Sequence, residues 1–177
     1  WIDLEDQEEG SLELLKTQPD GPERAQQELD LQIALGAPLA MIKGLAALEV
    51  EQTYARAREL CRQVGETPQL FPVLWGLWRI YNVQAQLQTS RKLAEQLLSL
   101  AGREDDPAPL MEAHFALGAN LVWQGELDAA RAHLEQGIAL YDPQQHRSHV
   151  FLHGNVPGVI CRCFGAWALW SLGYPDQ

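Results

Sequence analysis

The segment "HRSHVFLHG" holds the densest run of metal-ligating side chains, with His146, His149 and His153 at spacings of three and four. A helix would bring three such imidazoles onto one side, and three histidines with one open position is a donor set of catalytic zinc. That chemistry would make the region a metal-dependent enzyme lobe. Gly154, Asn155 and Pro157 argue against a helix across all three, and no carboxylate falls within 146–157 to orient the rings. The histidines are therefore weak metal candidates, and a long polar connector over 146–157 is the better reading. "CRC" (Cys161 and Cys163) is a second candidate pair for soft metals or redox work. With Cys61 the only other thiol, the three cysteines read as small, semi-buried hydrophobes of a reducing compartment.

No other stretch offers catalytic chemistry. There is no G-x-S-x-G, no H-E-x-x-H and no cysteine with a framed histidine partner. "LGAPLA" and "PDGPE" hold single glycines, too few to cradle a phosphate. Neither enzymatic activity nor a cofactor is expected of these residues. The net charge of −11 over 177 residues, with no Lys/Arg cluster, argues against nucleic acid and against anionic membrane surfaces. The five acids of "DLEDQEE" (3–9) read as a solvated helix face. "GVICRCFGAWALWSLGY" (158–174) is as long as a membrane span but carries Arg162 within it, so a buried helix is expected there.

The elements that position these residues follow from a repeat. "QAQLQTSRKLAEQLLSL" (84–100) and "QGELDAARAHLEQGIAL" (124–140) share six residues of seventeen at an offset of forty: Gln84/Gln124, Leu87/Leu127, Arg91/Arg131, Glu95/Glu135, Gln96/Gln136 and Leu100/Leu140. Self-similarity at fixed spacing marks stacked units. Leu, Ala, Gln, Glu and Arg dominate, and no stretch alternates like a strand, so the units are helical. Pro-marked breaks at 17–23, 65–69, 102–109 and 141–145 separate pairs. Weaker breaks at Lys43-Gly44, Gln84-Ala85 and Gln124-Gly125 fall inside them.

In the best-preserved pair, His114, Leu117, Gly118 and Leu121 are spaced as in the pattern W-x₂-L-G-x₂-Y, and Ala130 and Leu134 as in A-x₃-F, before Pro143. Gly118 lets the partner helix approach, and Ala130 is the small residue received at that crossing. His114 stands in an aromatic slot, where packing is the expected role. Trp78 stands at the slot of Gly118, so that crossing is wider or Trp78 leans on a neighbour. One repeat earlier, Ala47, Val50, Tyr54, Ala57 and Leu60 fall on the slots of Leu87, Ser90, Ala94, Leu97 and Leu100. Leu35-Gly36 belongs to the first helix of that pair, shifted by a small length change. Leu14 fits a still earlier second helix, and Gly173 stands where Gly125 stands, at an offset of forty-eight.

On these residues, the chain from about 22 to 177 resembles tetratricopeptide repeats of the longer, forty-residue kind. "YARARELC", "GETPQLFPVLWGLWR" and "ARAHLEQGIALYDPQQHR" are similar to the repeat region that follows the ATPase module in bacterial adenylate/guanylate cyclase-type signalling ATPases. The resemblance implies a nucleotide-switched regulator whose repeats sense or recruit a partner, with any ATPase or cyclase domain lying elsewhere. No Walker glycine loop and no cyclase acidic pair occurs here.

The expected fold is all-α, a right-handed superhelical solenoid of antiparallel helix pairs. Its divisions are a second-helix remnant (1–21), pairs at 22–65, 66–105 and 106–145, a connector (146–157), and a first helix of a truncated repeat (158–177). In such stacks the first helices line the concave, binding face. Equivalent slots place Trp75, Arg79 and Asn82, then Phe115, Ala119 and Val122, then Cys163, Trp167 and Trp170 along it. Core packing is the competing role for each aromatic. The expected function is recognition of a protein, peptide or small effector by a cytoplasmic bacterial regulator. A passive scaffold or oligomerisation arm is the first alternative, and the histidine-based enzyme lobe the second. Self-association through the C-terminal helix is also expected.

Overall fold

The structure is a computed structural model that describes residues 10–12, 14, 15, 17, 19–65, 67–103, 106–144, 156–174 and 176. Seven full helices occur among them, after helical residues at 10–12, 14 and 15: α1 (Pro22–Lys43), α2 (Leu48–Val64), α3 (Leu70–Val83), α4 (Leu87–Ala101), α5 (Pro107–Gln124), α6 (Leu127–Leu140) and α7 (Pro157–Ser171). No strand is present among the described residues, and no helix there is long and apolar enough to cross a membrane.

Helix starts follow proline chemistry. Pro22, Pro107 and Pro157 each stand in a first turn, where the missing N–H would have no helical acceptor anyway. Asp106 caps α5 by accepting from the Ala108 N–H at 3.0 Å. The stops are more informative. At Ala85, Gly125 and Gly173 the backbone turns to positive φ (58°, 78° and 90°). In each case two N–H groups fold back in one pattern: Gln86 to Tyr81 and Ala85 to Asn82, Glu126 to Leu121 and Gly125 to Val122, Tyr174 to Leu169 and Gly173 to Trp170. This is one helix-terminating motif used three times, at offsets of forty and forty-eight.

The chain divides into two compact units, Trp1–Gln86 and Leu87–Gln177, so the boundary falls within the stretch 66–105 read as one pair. In the first unit α1 packs on α2 and α2 on α3, with further contact between α1 and α3. In the second, α4 packs on α5, α5 on α6 and α6 on α7, and α5 also touches α7. Within each unit, packing of sequence neighbours follows from turns of two to five residues, except for α6 and α7, which are joined by the sixteen residues 141–156.

The forty-residue spacing reappears as burial. Val50, Ser90 and Ala130 are each sealed from solvent, and so are Ala57 and Leu97, with Gly137 buried at the next equivalent slot. A Cβ built on Gly118 would stand 2.7 Å from Leu134 Cγ and 3.4 Å from the Ala130 carbonyl oxygen, so α5 and α6 meet at glycine contact distance. In the first unit the same slot holds Tyr54, whose ring lies against Gly36 of α1 and Gly76 of α3. Gly36 precedes Tyr54 by two residues more than Gly118 precedes Leu134, which is the small length change inferred for that pair. Leu39, Val50 and Ile80 form the core beside it.

Two local expectations change. Leu15, not Leu14, is the buried leucine of the N-terminal helical turn, because the helix turns Leu14 outward. The 158–174 segment is not buried all round. Val159, Trp167, Trp170 and Tyr174 are exposed, while Cys161, Gly165 and Ala168 form the inward stripe.

Candidate functional site

The residues predicted to line a binding face divide between the units: Trp75, Arg79 and Asn82 in the first, and Phe115, Ala119, Val122, Cys163 and Trp167 in the second. Trp75, Phe115 and Ala119 are interior, 4%, 4% and 1% exposed. They act as core, the competing role weighed for the aromatics. Arg79, Asn82 and Val122 are half-buried, and Cys163 and Trp167 face solvent. Trp78 is buried against Trp75, ring centroids 4.9 Å apart, so it leans on a neighbour. Arg79 lies close enough to Tyr54 to oppose the rise in the phenol pKa that burial causes.

The second unit carries an aromatic surface of which only part was legible. Phe164 meets Phe115 edge-on at 5.6 Å and Trp123 at 6.0 Å, and Trp123 meets Trp167 edge-on at 5.1 Å. Phe115 and Trp123 come from α5, and Phe164 and Trp167 from α7. The cluster runs from the core outward: Phe115 is sealed, while Trp123 and Trp167 are 46% and 45% exposed. Trp170, one turn beyond Trp167 on α7, is exposed as well. Edge-to-face contacts set the relative ring planes of Phe164, Trp123 and Trp167. Trp123 and Phe164 were missed because their slots lie one residue beyond Val122 and Cys163. On a helix that step is a rotation of about 100°, and α7 packs on α5 with that side.

The first unit offers a different surface. A cavity of about 800 Å³ opens between the N-terminal helical turn, α1 and α2, with Leu15, Leu35 and Leu39 as apolar wall and Arg24, Glu28, Lys43, Glu49 and Arg56 as charged lining. Arg56 binds Glu28 in a fork, Nε to Oε1 at 2.6 Å and Nη2 to Oε2 at 3.0 Å, and Glu28 raises the guanidinium pKa further. Lys43 pairs with Glu49 at 3.4 Å, and Arg24 pairs with Asp20. Among the described residues the lining carries Arg24, Lys43 and Arg56 against Glu28 and Glu49, unlike the acidic chain as a whole.

Between α5, α6 and α7 lies a third group of reactive side chains. Cys161 is sealed, and its thiol pKa is pushed up to about 12, first by burial and then by the Glu112 charge, so it stays a thiol. His114 and His133 face each other with Nδ1 atoms 3.0 Å apart. Burial lowers both pKa values, and His133 lowers that of His114 further, so both rings are neutral at pH 7. The packing role expected of His114 is present, against a residue the sequence did not single out. His146, His149 and His153 lie outside the described residues. Among the described residues no group of three or more His, Cys, Asp or Glu is placed to hold a metal ion. Comparison with known protein families, with curated proteins and with solved structures finds no match for this chain.

Proposed function

We propose that the chain is a tetratricopeptide-like recognition module of a larger bacterial signalling or regulatory protein, working in the cytoplasm and binding a protein or peptide. The observation that carries this reading is the aromatic surface of the second unit. A helix that only needed to pack would not hold Trp123 and Trp167 nearly half, and Trp170 two thirds, in water, since burying such rings is favourable by about 25 cal/mol per Å². Contiguous exposed aromatics mark interaction surfaces, and tryptophan is the commonest kind of anchor at them. The forty-residue register and the paired helices support the repeat reading. The module itself is proposed to be non-catalytic.

Binding is tested with the natural partner, captured by cross-linking in the native cell and then measured with purified protein. Trp167→Ala should weaken affinity by about 2 kcal/mol while leaving helicity intact. Arg79→Glu should do the same if the partner presents an acidic group. Wild-type affinity in both variants would place the partner on another surface.

The exposure of Val159, Trp167 and Trp170 on α7 also favours a second reading, an oligomerisation arm. Sedimentation of wild type and Trp170→Ser separates the two. A dimer that dissociates in the variant supports the arm, and a monomer in both supports the partner.

A further inference from the structure

We propose that His114 and His133 form a two-histidine site for a divalent transition-metal ion of tetragonal preference, with Cu²⁺ the tightest. The pair is set by the backbone. A Cβ built on Gly137 of α6 would stand at contact distance from α5, 3.5 Å from the Met111 carbonyl oxygen and 3.8 Å from His114 Cβ, and would crowd Cys161 Sγ of α7 at 2.9 Å. Across that contact the two rings tilt by 37° with centroids 5.3 Å apart, and their Nδ1 atoms converge to 3.0 Å.

In the metal-free protein one Nδ1 carries a proton and donates it to the lone pair of the other. Moving that proton to Nε2 of its own ring frees both Nδ1 lone pairs, with no change in net charge and no proton lost from the pair, and a turn of each ring about its χ2 axis brings them from facing each other onto a shared ion. Metal–imidazole bonds of about 2.0–2.1 Å spanning 3.0 Å enclose an angle of about 91–97°. That is the angle between neighbouring ligands in a square-planar or octahedral shell. A tetrahedral ion needs about 109°, hence nitrogens about 3.3–3.4 Å apart, so Zn²⁺ would have to part the rings. Imidazole nitrogen and tetragonal geometry together select Cu²⁺ and Ni²⁺, and the affinity order of divalent ions places Cu²⁺ first. Mg²⁺ and Ca²⁺, which take oxygen ligands, are excluded. Both residues are half-buried, and water would have to complete the shell.

The test is titration of the metal-stripped 177-residue chain with Cu²⁺, Ni²⁺ and Zn²⁺ by calorimetry, with electron paramagnetic resonance of the copper form. A Cys163→Ser background keeps the exposed thiol from reducing copper. His146, His149 and His153 are controlled by replacing all three with Ala. The triple variant should keep one Cu²⁺ per chain, with hyperfine coupling to two imidazole nitrogens and binding tighter than for Ni²⁺ or Zn²⁺. In that background, adding His133→Ala or His114→Phe should weaken Cu²⁺ at least thirtyfold. The Phe keeps the ring packing, and the nitrogen count in the triple variant needs no substitution at the pair. Loss of copper from the triple variant, a single coupled nitrogen, or wild-type affinity in either pair variant overturns the site.

Discussion

In the first unit Tyr54 fills the space between Gly36 and Gly76. In the second, Leu134 occupies the equivalent slot and presses on Gly118. The register is shared and the volumes are exchanged, a large ring against two bare backbones on one side and a branched aliphatic against one on the other. Polar groups follow the same divergence. The first unit gathers paired charges around an open cavity, whereas the second closes its helices with small residues and turns indoles outward. A repeat therefore conserves where a side chain sits more strictly than what fills the place. Function can diverge between units while the backbone spacing holds.

The largest effect is expected where a single side chain serves two glycines. Tyr54→Ala should cost about 3 kcal/mol in chemical denaturation, the scale of aromatic truncation in a packed site. Gly76→Ala places a Cβ 2.2 Å from the Tyr54 ring and should cost about 2 kcal/mol alone. Combined, the two should cost clearly less than their sum, because the smaller residue vacates the space that the new methyl needs. Strict additivity would mean that Tyr54 and Gly76 do not meet.

Ala130→Phe addresses the other crossing. Ala130 is sealed beside Gly118, so a phenyl ring there should cost about 1–3 kcal/mol. An unchanged melting temperature would count against the register of the second unit.

Asn120 distinguishes the units in polar rather than apolar terms. Fully buried, it donates to Ser90 Oγ and to the Leu87 carbonyl at 3.1 Å, tying α5 to the start of α4. Asn120→Ala should lose about 1–2 kcal/mol, since the buried Ser90 hydroxyl loses a donor while the Leu87 carbonyl keeps those of Ser90 and Gln124. Asn120→Asp should be worse, placing a charge where a donor is needed, and urea midpoints read both.

The smallest change is a gain. Ala85 holds the positive φ that glycine supplies at the two equivalent stops. Ala85→Gly should stabilise by about 0.5–1 kcal/mol, the left-handed penalty relieved less the added freedom of the unfolded chain. A loss of stability would show that Ala85 is not in that conformation.

Several of these features were legible because they are local or periodic. The helix stops at Lys43, Gln124 and Leu140 could be read from glycine and proline chemistry, and the close crossing at Gly118 and Ala130 from spacing. Tyr54 was assigned its slot, but its wedge between two glycines was not foreseen, since Gly76 lies in the next helix and outside the pattern. The aromatic surface was half-read. Trp167 stood out in the slot arithmetic, while Trp123 and Phe164 did not, because the arithmetic carries one helix face and α7 meets α5 with another.

By itself the sequence determined that the chain is helical, where its helices begin and end, and which small residues sit at the second unit's crossing. Each of these is set by forces acting within about one helical turn or by a repeated spacing. Only the tertiary structure decided that Trp75 and Phe115 are core, that Trp123 and Trp167 share a surface, and that His114 meets His133. Those outcomes depend on the rotation of one helix against another. Side-chain volumes at each contact set that rotation.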